Sequence, residues 1–258
     1  MRNWVDAPRR VREIAGQHFA EVSLVQIHSG KGSDLAATLR TDKGVVFLKA
    51  VSMGRPRAEI YRIEPKVQEY LPAIASRMLW HTETEEWLVM CFEHVEGSHV
   101  DITPGSPDLS TVAMVHDALT CFEIPGLPVL PIERRWAPFA PADVLEHLRG
   151  MTLVHTDLVP ANILRGVDGK AKVVDWAWPT LGVAWLDTSL MVPRLILAGH
   201  TPQAAEAWAL TVPAWCKAGR ESVDCGLRAH LGFARERSSE ALCDSLRQWQ
   251  RYRQASRA

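Results

Sequence analysis

The chain has 258 residues, of which 47% are apolar and 23% charged, and its formal net charge is −1. These values are typical of a globular protein with a substantial core, and they give no bulk electrostatic basis for binding nucleic acid or an anionic membrane. No apolar run approaches the roughly 18 residues needed to span a bilayer, and the first residues lack the apolar stretch of a signal peptide. The five cysteines are scattered without metal-type or redox-type spacing, which indicates reduced thiols and a cytoplasmic protein.

The first third of the chain predicts β-strands and one main helix. The segments "FAEVSLVQIHS" and "LAATLRTDKGVVFLKAV" read as strands, the second of them as a hairpin that turns at residues 42–44. Apolar residues spaced as in a helix follow over residues 57–71, where Pro65 predicts a kink or a late helix start. A second hairpin, "RMLWHTETEEWLVMCFEHV", completes a β-rich part.

The texture of the sequence changes after Gly97. Residues 98–110 are rich in Pro, Gly, Ser and Asp, and everything from Leu186 onward has helical spacing. We therefore expect a β-rich part over 1–93, a boundary at 94–97 and a mostly helical part over 98–258. The Arg-rich stretch 235–257 is interpreted as a solvated helix face rather than as a site for an anionic partner.

The motif "VHTDLVPANIL" places His155, Asp157 and Asn162 at fixed offsets, and "KVVDWAW" then places Asp175 at the end of a short apolar strand. Phosphoryl transfer needs a carboxylate beside the attacking hydroxyl, and ligands for a metal that neutralises phosphate charge. The spacing matches the H-R-D-x-x-x-x-N catalytic loop of kinases and its downstream Asp. The oxygens of Asn162 and Asp175 suit Mg²⁺.

Each of these residues alone has an ordinary explanation. Asp157 and Asn162 would satisfy a turn, and Asp175 would close an Asx-turn at a strand end. The combination of all of them, in order and around a short hairpin, favours a kinase-like site.

The β-rich part supplies a cation. Lys49 lies in the second arm of a hairpin, as the lysine of V-A-I-K does in kinases. Its partner should be a glutamate of the following helix, for which Glu59, Glu64 and Glu69 are candidates. We favour Glu64, because it shares a helix face with Ile60 and Val67, and we keep Glu59 as the alternative.

The loop between the first two strands should meet the nucleotide. Its candidate residues are Ser29, Gly30, Gly32 and Ser33. It contains neither G-x-x-x-x-G-K-[ST] nor G-x-G-x-x-G, so a simple hairpin turn explains the loop equally well.

The segments "LVHTDLVPANIL" and "VVDWAWPTLGVAWLD" resemble the aminoglycoside phosphotransferase family, which consists of small-molecule kinases with the protein-kinase-like fold. The resemblance spans roughly residues 22–197 and is sharpest between 154 and 187. It implies an α+β, two-lobed fold with a β-rich, nucleotide-binding N-lobe over 1–93 and a hinge at 94–97. The mostly helical C-lobe over 98–258 would carry the catalytic loop and the substrate-binding helices. One departure is Thr156, which stands where the family's H-G-D motif has Gly.

The resemblance also implies roles for individual residues. Asp157 would be the catalytic base or hydroxyl orienter, with Asn162 and Asp175 as Mg²⁺ ligands. Lys49, paired to Glu64, would bind the phosphates of ATP or GTP. The backbone of the hinge would meet the purine base, and the catalytic loop would have two supports. The hinge residues are Glu93, His94 and Val95, and the two supports are His155 and Asp187.

The sequence leaves the acceptor open. Acidic and basic residues nearly balance after residue 98, which gives no acidic field for a polycationic aminoglycoside. We expect a hydroxyl of a small molecule, with an antibiotic favoured and choline, homoserine or a sugar as the metabolic alternative. A pseudokinase that only binds nucleotide is the non-enzymatic alternative. We expect a monomer or weak dimer, and most of the ten tryptophans in the core.

Overall fold

The computed structural model describes residues 3–28, 33–56, 58–120 and 129–256, and the chain divides into two compact units between Glu96 and Gly97. We call residues 1–96 unit 1 and residues 97–258 unit 2. Unit 1 is built on an antiparallel sheet and unit 2 is mostly helical, which confirms the predicted α+β fold class. The hinge at 94–97 and the division of labour between the two parts stay predictions.

Unit 1 contains a five-stranded antiparallel sheet with the strand order β1-β2-β3-β5-β4. Its strands are β1 (Val22–Ile27), β2 (Leu35–Thr41), β3 (Gly44–Ser52), β4 (Met78–Glu83) and β5 (Trp87–Glu93). Its helices are α1 (Arg9–Gly16) and the single turn α2 (Ile63–Val67), the latter flanked by 3-10 turns at Ala58–Arg62 and Gln68–Tyr70. The two predicted hairpins are therefore confirmed.

The sequence prediction of a single main helix in this part is wrong in two respects. It omits α1, whose residues Val11, Ile14 and Ala15 recur at helical spacing and pack into the core of the sheet. The predicted helix over 57–71 is broken, and its α-helical part covers only Ile63–Val67. Pro65 lies in the first turn of α2, where a missing N–H is tolerated, so the late start is confirmed.

Strand β3 turns the side chain of Lys49 away from the core that packs on α1. Leu48 and Ala50 are fully buried in the core that contacts α1. Because successive side chains of a strand alternate, Lys49 points to the opposite face of the sheet, where Glu64 of α2 lies.

Unit 2 combines helices with two small sheets. Its helices are α3 (Asp108–Leu119), α4 (Ile132–Arg135), α5 (Ala142–Glu146), α6 (Leu186–Leu197), α7 (Pro202–Ala209), α8 (Pro213–Cys216), α9 (Arg220–Arg237) and α10 (Glu240–Ala255). Its strands are β6 (Gly97–His99), β7 (Thr152–Val154), β8 (Ile163–Gly166), β9 (Ala171–Val173) and β10 (Thr180–Gly182), with β10 paired to β7 and β8 between β6 and β9. The helical spacing predicted from Leu186 onward is confirmed by α6 to α10.

A buried arginine holds the last helices of unit 2 together. Arg253 of α10 donates hydrogen bonds to Asp224 of α9 (2.5 Å) and to Glu206 of α7 (2.6 Å). The interpretation of 235–257 as a solvated face is therefore wrong at Arg253, since its guanidinium is buried and paired. No helix among the described residues is both long enough and apolar enough to cross a membrane.

Candidate active site

The catalytic-loop motif lies between β7 and β8 of unit 2. Val154 pairs with Thr180 of β10, which fixes the start of the loop. A 3-10 turn at Pro160–Asn162 ends it, with the Asn162 N–H donating to the Val159 carbonyl at 2.8 Å. The loop is thus short and held by a strand at each end.

Two hydrogen bonds bring the three predicted reaction residues of unit 2 together. The side-chain amide of Asn162 donates to the backbone carbonyl of Asp157 at 2.8 Å. The N–H of Val174 donates to the carbonyl of Asn162 at 3.0 Å, so Asp175 follows directly after the point where β9 meets the loop. One turn therefore carries Asp157 and Asn162, and Asp175 is the next residue along the neighbouring strand end.

The side chains of His155 and Asp187 form hydrogen bonds with backbone groups in and beside the loop. Asp187, in the first turn of α6, accepts the backbone N–H groups of His155 (2.7 Å) and Thr156 (2.8 Å). The Nε2 of His155 bonds to the Val174 carbonyl at 3.0 Å, and its Nδ1 accepts the N–H of Asp157 at 3.2 Å. Both side chains therefore hold backbone groups of the loop, which is the kind of contact that a support requires.

Thr156 and Asp175 have left-handed backbone conformations, each with φ of 63°. For non-glycine residues this costs on the order of 1–3 kcal/mol, and such strain persists only where surrounding contacts enforce it. Glycine adopts this conformation without a steric cost, which fits the Gly of the H-G-D motif at the position that Thr156 occupies here.

Thr156 has contacts that a glycine would lack. Its hydroxyl donates to the carbonyl of Trp178 at 2.6 Å and accepts from Arg135 at 2.9 Å. Arg135 also donates to the Trp178 carbonyl at 2.5 Å, and its guanidinium lies 5.0 Å from the centre of the Trp178 ring. We call Arg135, Thr156 and Trp178 the arginine clamp. It joins α4, the catalytic loop and the segment that follows Asp175.

Burial and nearby charges of both signs act on the carboxyl group of Asp157. Burial among its neighbours raises the pKa of Asp157 above its ordinary value, the nearby Asp175 raises it further, and the cation of Arg194 opposes both. The Arg194 guanidinium is 3.7 Å from the Asp157 carboxylate. A carboxylate with a raised pKa is a better proton acceptor, provided that it stays ionised.

The sequence prediction omits Arg135 and Arg194. Arg135 had no signal in the sequence, because α4 lies in a stretch that reads as a Pro-rich connection. Arg194 had a weak one: it follows Asp187 by seven residues, which is two helical turns, so both side chains lie on one face of α6.

Asn162 and Asp175 fit a magnesium ion. The amide nitrogen of Asn162 is engaged with Asp157, which leaves its hard amide oxygen as the available ligand atom. Within the described part of the chain no group of three or more His, Cys, Asp or Glu side chains could hold a metal. Mg²⁺ usually takes one or two protein ligands together with substrate phosphates, so a pair such as this is sufficient.

In unit 1 the predicted cation forms a closed ion pair. The Nζ of Lys49 is 2.8 Å from Glu64, and the two side chains are only 7% and 1% exposed. Of the three candidate glutamates, Glu64 is the one that pairs with Lys49. Lys49 also lies 5.2 Å from the centre of the Tyr61 ring.

The remaining predicted nucleotide residues lie in or beside unit 1's strand ends. Ser29, Gly30 and Gly32 fall outside the described residues. Ser33 is half-buried, and so is Val95, whereas His94 is exposed. Glu93 ends β5, and its N–H donates to the Arg77 carbonyl at 2.9 Å.

Of the three tryptophans near Asp175, two lie in the core and one belongs to the arginine clamp. Trp176 and Trp185 are buried, and Trp176 packs on the His155 ring with 4.6 Å between the ring centres. Trp178 is half-buried and contacts Arg135.

No protein-family model matches this sequence, and no curated protein sequence does so. Solved structures do match. The choline kinase LicA from Streptococcus pneumoniae is 14% identical with a TM-score of 0.64, over 96% of this chain and 99% of that one. An aminoglycoside phosphotransferase from Alicyclobacillus acidocaldarius is 14% identical with a TM-score of 0.58, over 93% of each chain.

A third similar structure contains ligands. A thermostable mutant of the aminoglycoside phosphotransferase APH(4)-Ia, in a ternary complex with AMP-PNP and hygromycin B, is 15% identical with a TM-score of 0.60 over 96% of each chain. The predicted resemblance is therefore confirmed at the level of the fold: this chain has the protein-kinase-like fold of the aminoglycoside phosphotransferase-like small-molecule kinases.

Proposed function

We propose that the protein is a phosphotransferase that moves the γ-phosphoryl group of ATP or GTP to a hydroxyl group of a small molecule. The observation that carries this proposal is the hydrogen-bonded turn of unit 2, which sets Asp157 and Asn162 beside the strand end at Asp175. The fold supports it, because the similar structures are small-molecule phosphotransferases.

In this reaction Asp157 acts on the acceptor. Its carboxylate accepts a hydrogen bond from the acceptor hydroxyl and orients the oxygen toward the γ-phosphorus. As the bond between that oxygen and the γ-phosphorus forms, the bond from phosphorus to the β,γ-bridging oxygen breaks. The hydroxyl proton passes to Asp157, and the nucleoside diphosphate leaves.

The other residues hold charge in place. Lys49 binds the nucleotide phosphates, and Glu64 fixes the position of its ammonium group. Asn162 and Asp175 would hold Mg²⁺, which supplies charge neutralisation on the phosphate oxygens. His155 and Asp187 fix the backbone that aims Asp157.

An antibiotic is the acceptor that we favour, as in a resistance or self-protection kinase, because the similar structures include one with hygromycin B bound. A metabolic acceptor such as choline, homoserine or a sugar is the alternative, because the choline kinase LicA shares the fold. The set of Lys49, Asp157, Asn162 and Asp175 is complete, which disfavours a pseudokinase. A cytoplasmic location and a monomer or weak dimer remain part of the proposal.

The test is a phosphorylation screen of the full chain with Mg²⁺ and either ATP or GTP. The acceptors are aminoglycoside, peptide and nucleoside antibiotics, choline, homoserine and sugars. We expect one acceptor class to be phosphorylated, and Asp157→Asn to lower the rate about 10²- to 10⁴-fold while nucleotide binding is retained. Asp168→Asn, in an exposed turn, is the matched control. Full activity in Asp157→Asn would refute the catalytic assignment.

A further inference from the structure

Arg194 lies directly beside the reacting carboxylate of the proposed function. It extends from the same face of α6 as Asp187, which holds the loop backbone, and its guanidinium lies 3.7 Å from the Asp157 carboxylate. Helix α6 therefore places the carboxylate of Asp187 against the backbone of the loop and the guanidinium of Arg194 beside the side chain of Asp157.

The contact between Arg194 and Asp157 does not use the hydrogen-bond donors of the guanidinium. At 3.7 Å the two groups attract each other electrostatically but are too far apart for a hydrogen bond. A guanidinium carries five N–H donors, and among the described residues Asp157 is its one charged partner within 4 Å. Among the described residues no hydrogen bond engages these donors, so they can meet a ligand.

Both groups are open to a ligand. The side chain of Arg194 is 25% exposed and that of Asp157 is 43% exposed. The enclosed part of Arg194 lowers its hydration, and a weakly hydrated guanidinium binds anionic oxygens in preference to water.

In the part of the chain that the structure describes, no second negative charge lies within 4 Å of Arg194. His230 of α9 is close enough for the charge of Arg194 to act on it, and burial first and then this charge lower the pKa of His230 to about 3. His230 is therefore neutral, and its Nδ1 has no hydrogen-bond partner among the described residues. Within that same part of the chain, Asp157 is the one carboxylate that pairs with Arg194.

The proposed reaction brings negative charge to this position. In that reaction Asp157 faces the acceptor hydroxyl and the γ-phosphoryl group, so anionic oxygens pass beside the Arg194 guanidinium, which lies 3.7 Å from Asp157.

We infer that Arg194 binds an anionic oxygen at the reacting centre, which belongs either to the phosphoryl group in transfer or to an acidic group of the acceptor. This inference rests on the proposed function. It makes Arg194 a binding residue of the site rather than a structural partner of Asp157.

The test compares wild type with Arg194→Met and Arg194→Lys in the full chain. Arg149→Met is the control, because Arg149 is 60% exposed and pairs with Glu133 and Glu146 instead. The first measurement is the affinity for inorganic phosphate by calorimetry. The second is the hydrolysis of ATP by water, which needs no acceptor. Thermal melting verifies that each variant is folded.

We expect Arg194→Met to weaken phosphate binding by about tenfold, the loss of one charge-assisted contact, with Arg194→Lys in between and Arg149→Met unchanged. A similar fall in ATP hydrolysis assigns the anion to the phosphoryl group. Unchanged hydrolysis together with weaker phosphate binding assigns it to an acidic acceptor.

Two outcomes separate this inference from the proposed function. If Arg194→Met binds phosphate and hydrolyses ATP as wild type does, the inference is wrong and the phosphotransferase proposal stands. If phosphate binding depends on Arg194 but the wild type neither hydrolyses ATP nor phosphorylates any acceptor, the anion site stands and the proposed function fails.

Discussion

Each of the two units contains a pair of one basic and one acidic residue to which the proposed function assigns a role, and the two pairs are built in opposite ways. In unit 1 Lys49 and Glu64 form a short ion pair of 2.8 Å that is almost completely buried. In unit 2 Arg194 and Asp157 are 3.7 Å apart and partly open to solvent. A short buried pair fixes the position of the lysine ammonium before a ligand binds. A longer, partly exposed pair lets each member exchange its partner during a reaction.

The energetics of the two pairs should differ accordingly. A buried ion pair is costly to break, because the remaining charge is left in a medium of low polarity. A partly solvated pair loses little when one member is removed, because water replaces it. The following predictions test this difference, from the largest expected effect to the smallest.

Lys49→Met should lower the free energy of unfolding by about 3–5 kcal/mol, because Glu64 is left buried without its cation. The measurement is urea unfolding at neutral pH. The double variant Lys49→Met/Glu64→Met should recover most of the loss, because no buried charge remains. A single variant as stable as wild type would show that the pair is not closed.

Acid should weaken unit 2 through two neutral histidines. Burial lowers the pKa of both His116 and His230 to about 3. Their folded pKa values lie below the unfolded value of about 6.5, so their stability contribution is complete above about pH 6.5 and is lost as the pH falls from there toward 3.

Between pH 8 and pH 5.5, each of these histidines should lower the free energy of unfolding by about 1.4 kcal/mol, and both together by about 3 kcal/mol. Urea unfolding of wild type and His230→Phe at the two pH values measures the contribution of one. The phenylalanine keeps a ring beside Trp136, on which His230 stacks. His99→Phe, at an exposed position, should keep the wild-type pH dependence. An unaltered pH dependence in His230→Phe would contradict the expectation.

Arg135→Met should lower the unfolding free energy by about 2 kcal/mol, because the arginine clamp loses two charge-assisted hydrogen bonds. It should also lower the rate of phosphoryl transfer with little change in the KM of the nucleotide. The reason is that the loop loses the contact from Arg135 that helps to hold Thr156 in its left-handed conformation. Steady-state kinetics of Arg135→Met beside the exposed Arg134→Met test this. A change in KM alone would place the role of Arg135 elsewhere.

Arg194→Met should change the unfolding free energy by less than about 1 kcal/mol in either direction, in contrast to Lys49→Met. Urea unfolding under the same conditions makes the two variants directly comparable. A loss as large as that of Lys49→Met would mean that the pair in unit 2 is closed as well.

Much of the fold could be read from local patterns. The hairpins of unit 1 follow from alternation and from the turn at residues 42–44, and the helices after residue 186 follow from apolar spacing and from Gly and Pro at their ends. Two short helices were missed. α1 spans barely two turns and α4 has four residues, so their apolar faces carry too little pattern.

The residues proposed for the catalytic loop could be named from the sequence because phosphoryl transfer demands specific oxygens at specific offsets along one short segment. Asp157, Asn162 and Asp175 are close in the chain, so spacing alone relates them. Arg135 and Arg194 reach the same loop from helices that are distant in sequence. Spacing carries no information about such contacts.

The sequence by itself therefore determined the type of fold and the local chemistry of the loop, since both depend on residues within a few positions of each other. The tertiary structure decided which charges surround that chemistry. It selected Glu64 as the partner of Lys49, held Thr156 in a left-handed conformation against Arg135 and Trp178, and placed Arg194 beside Asp157. These contacts depend on how helices and strands pack, and packing is a property of the whole core rather than of any segment.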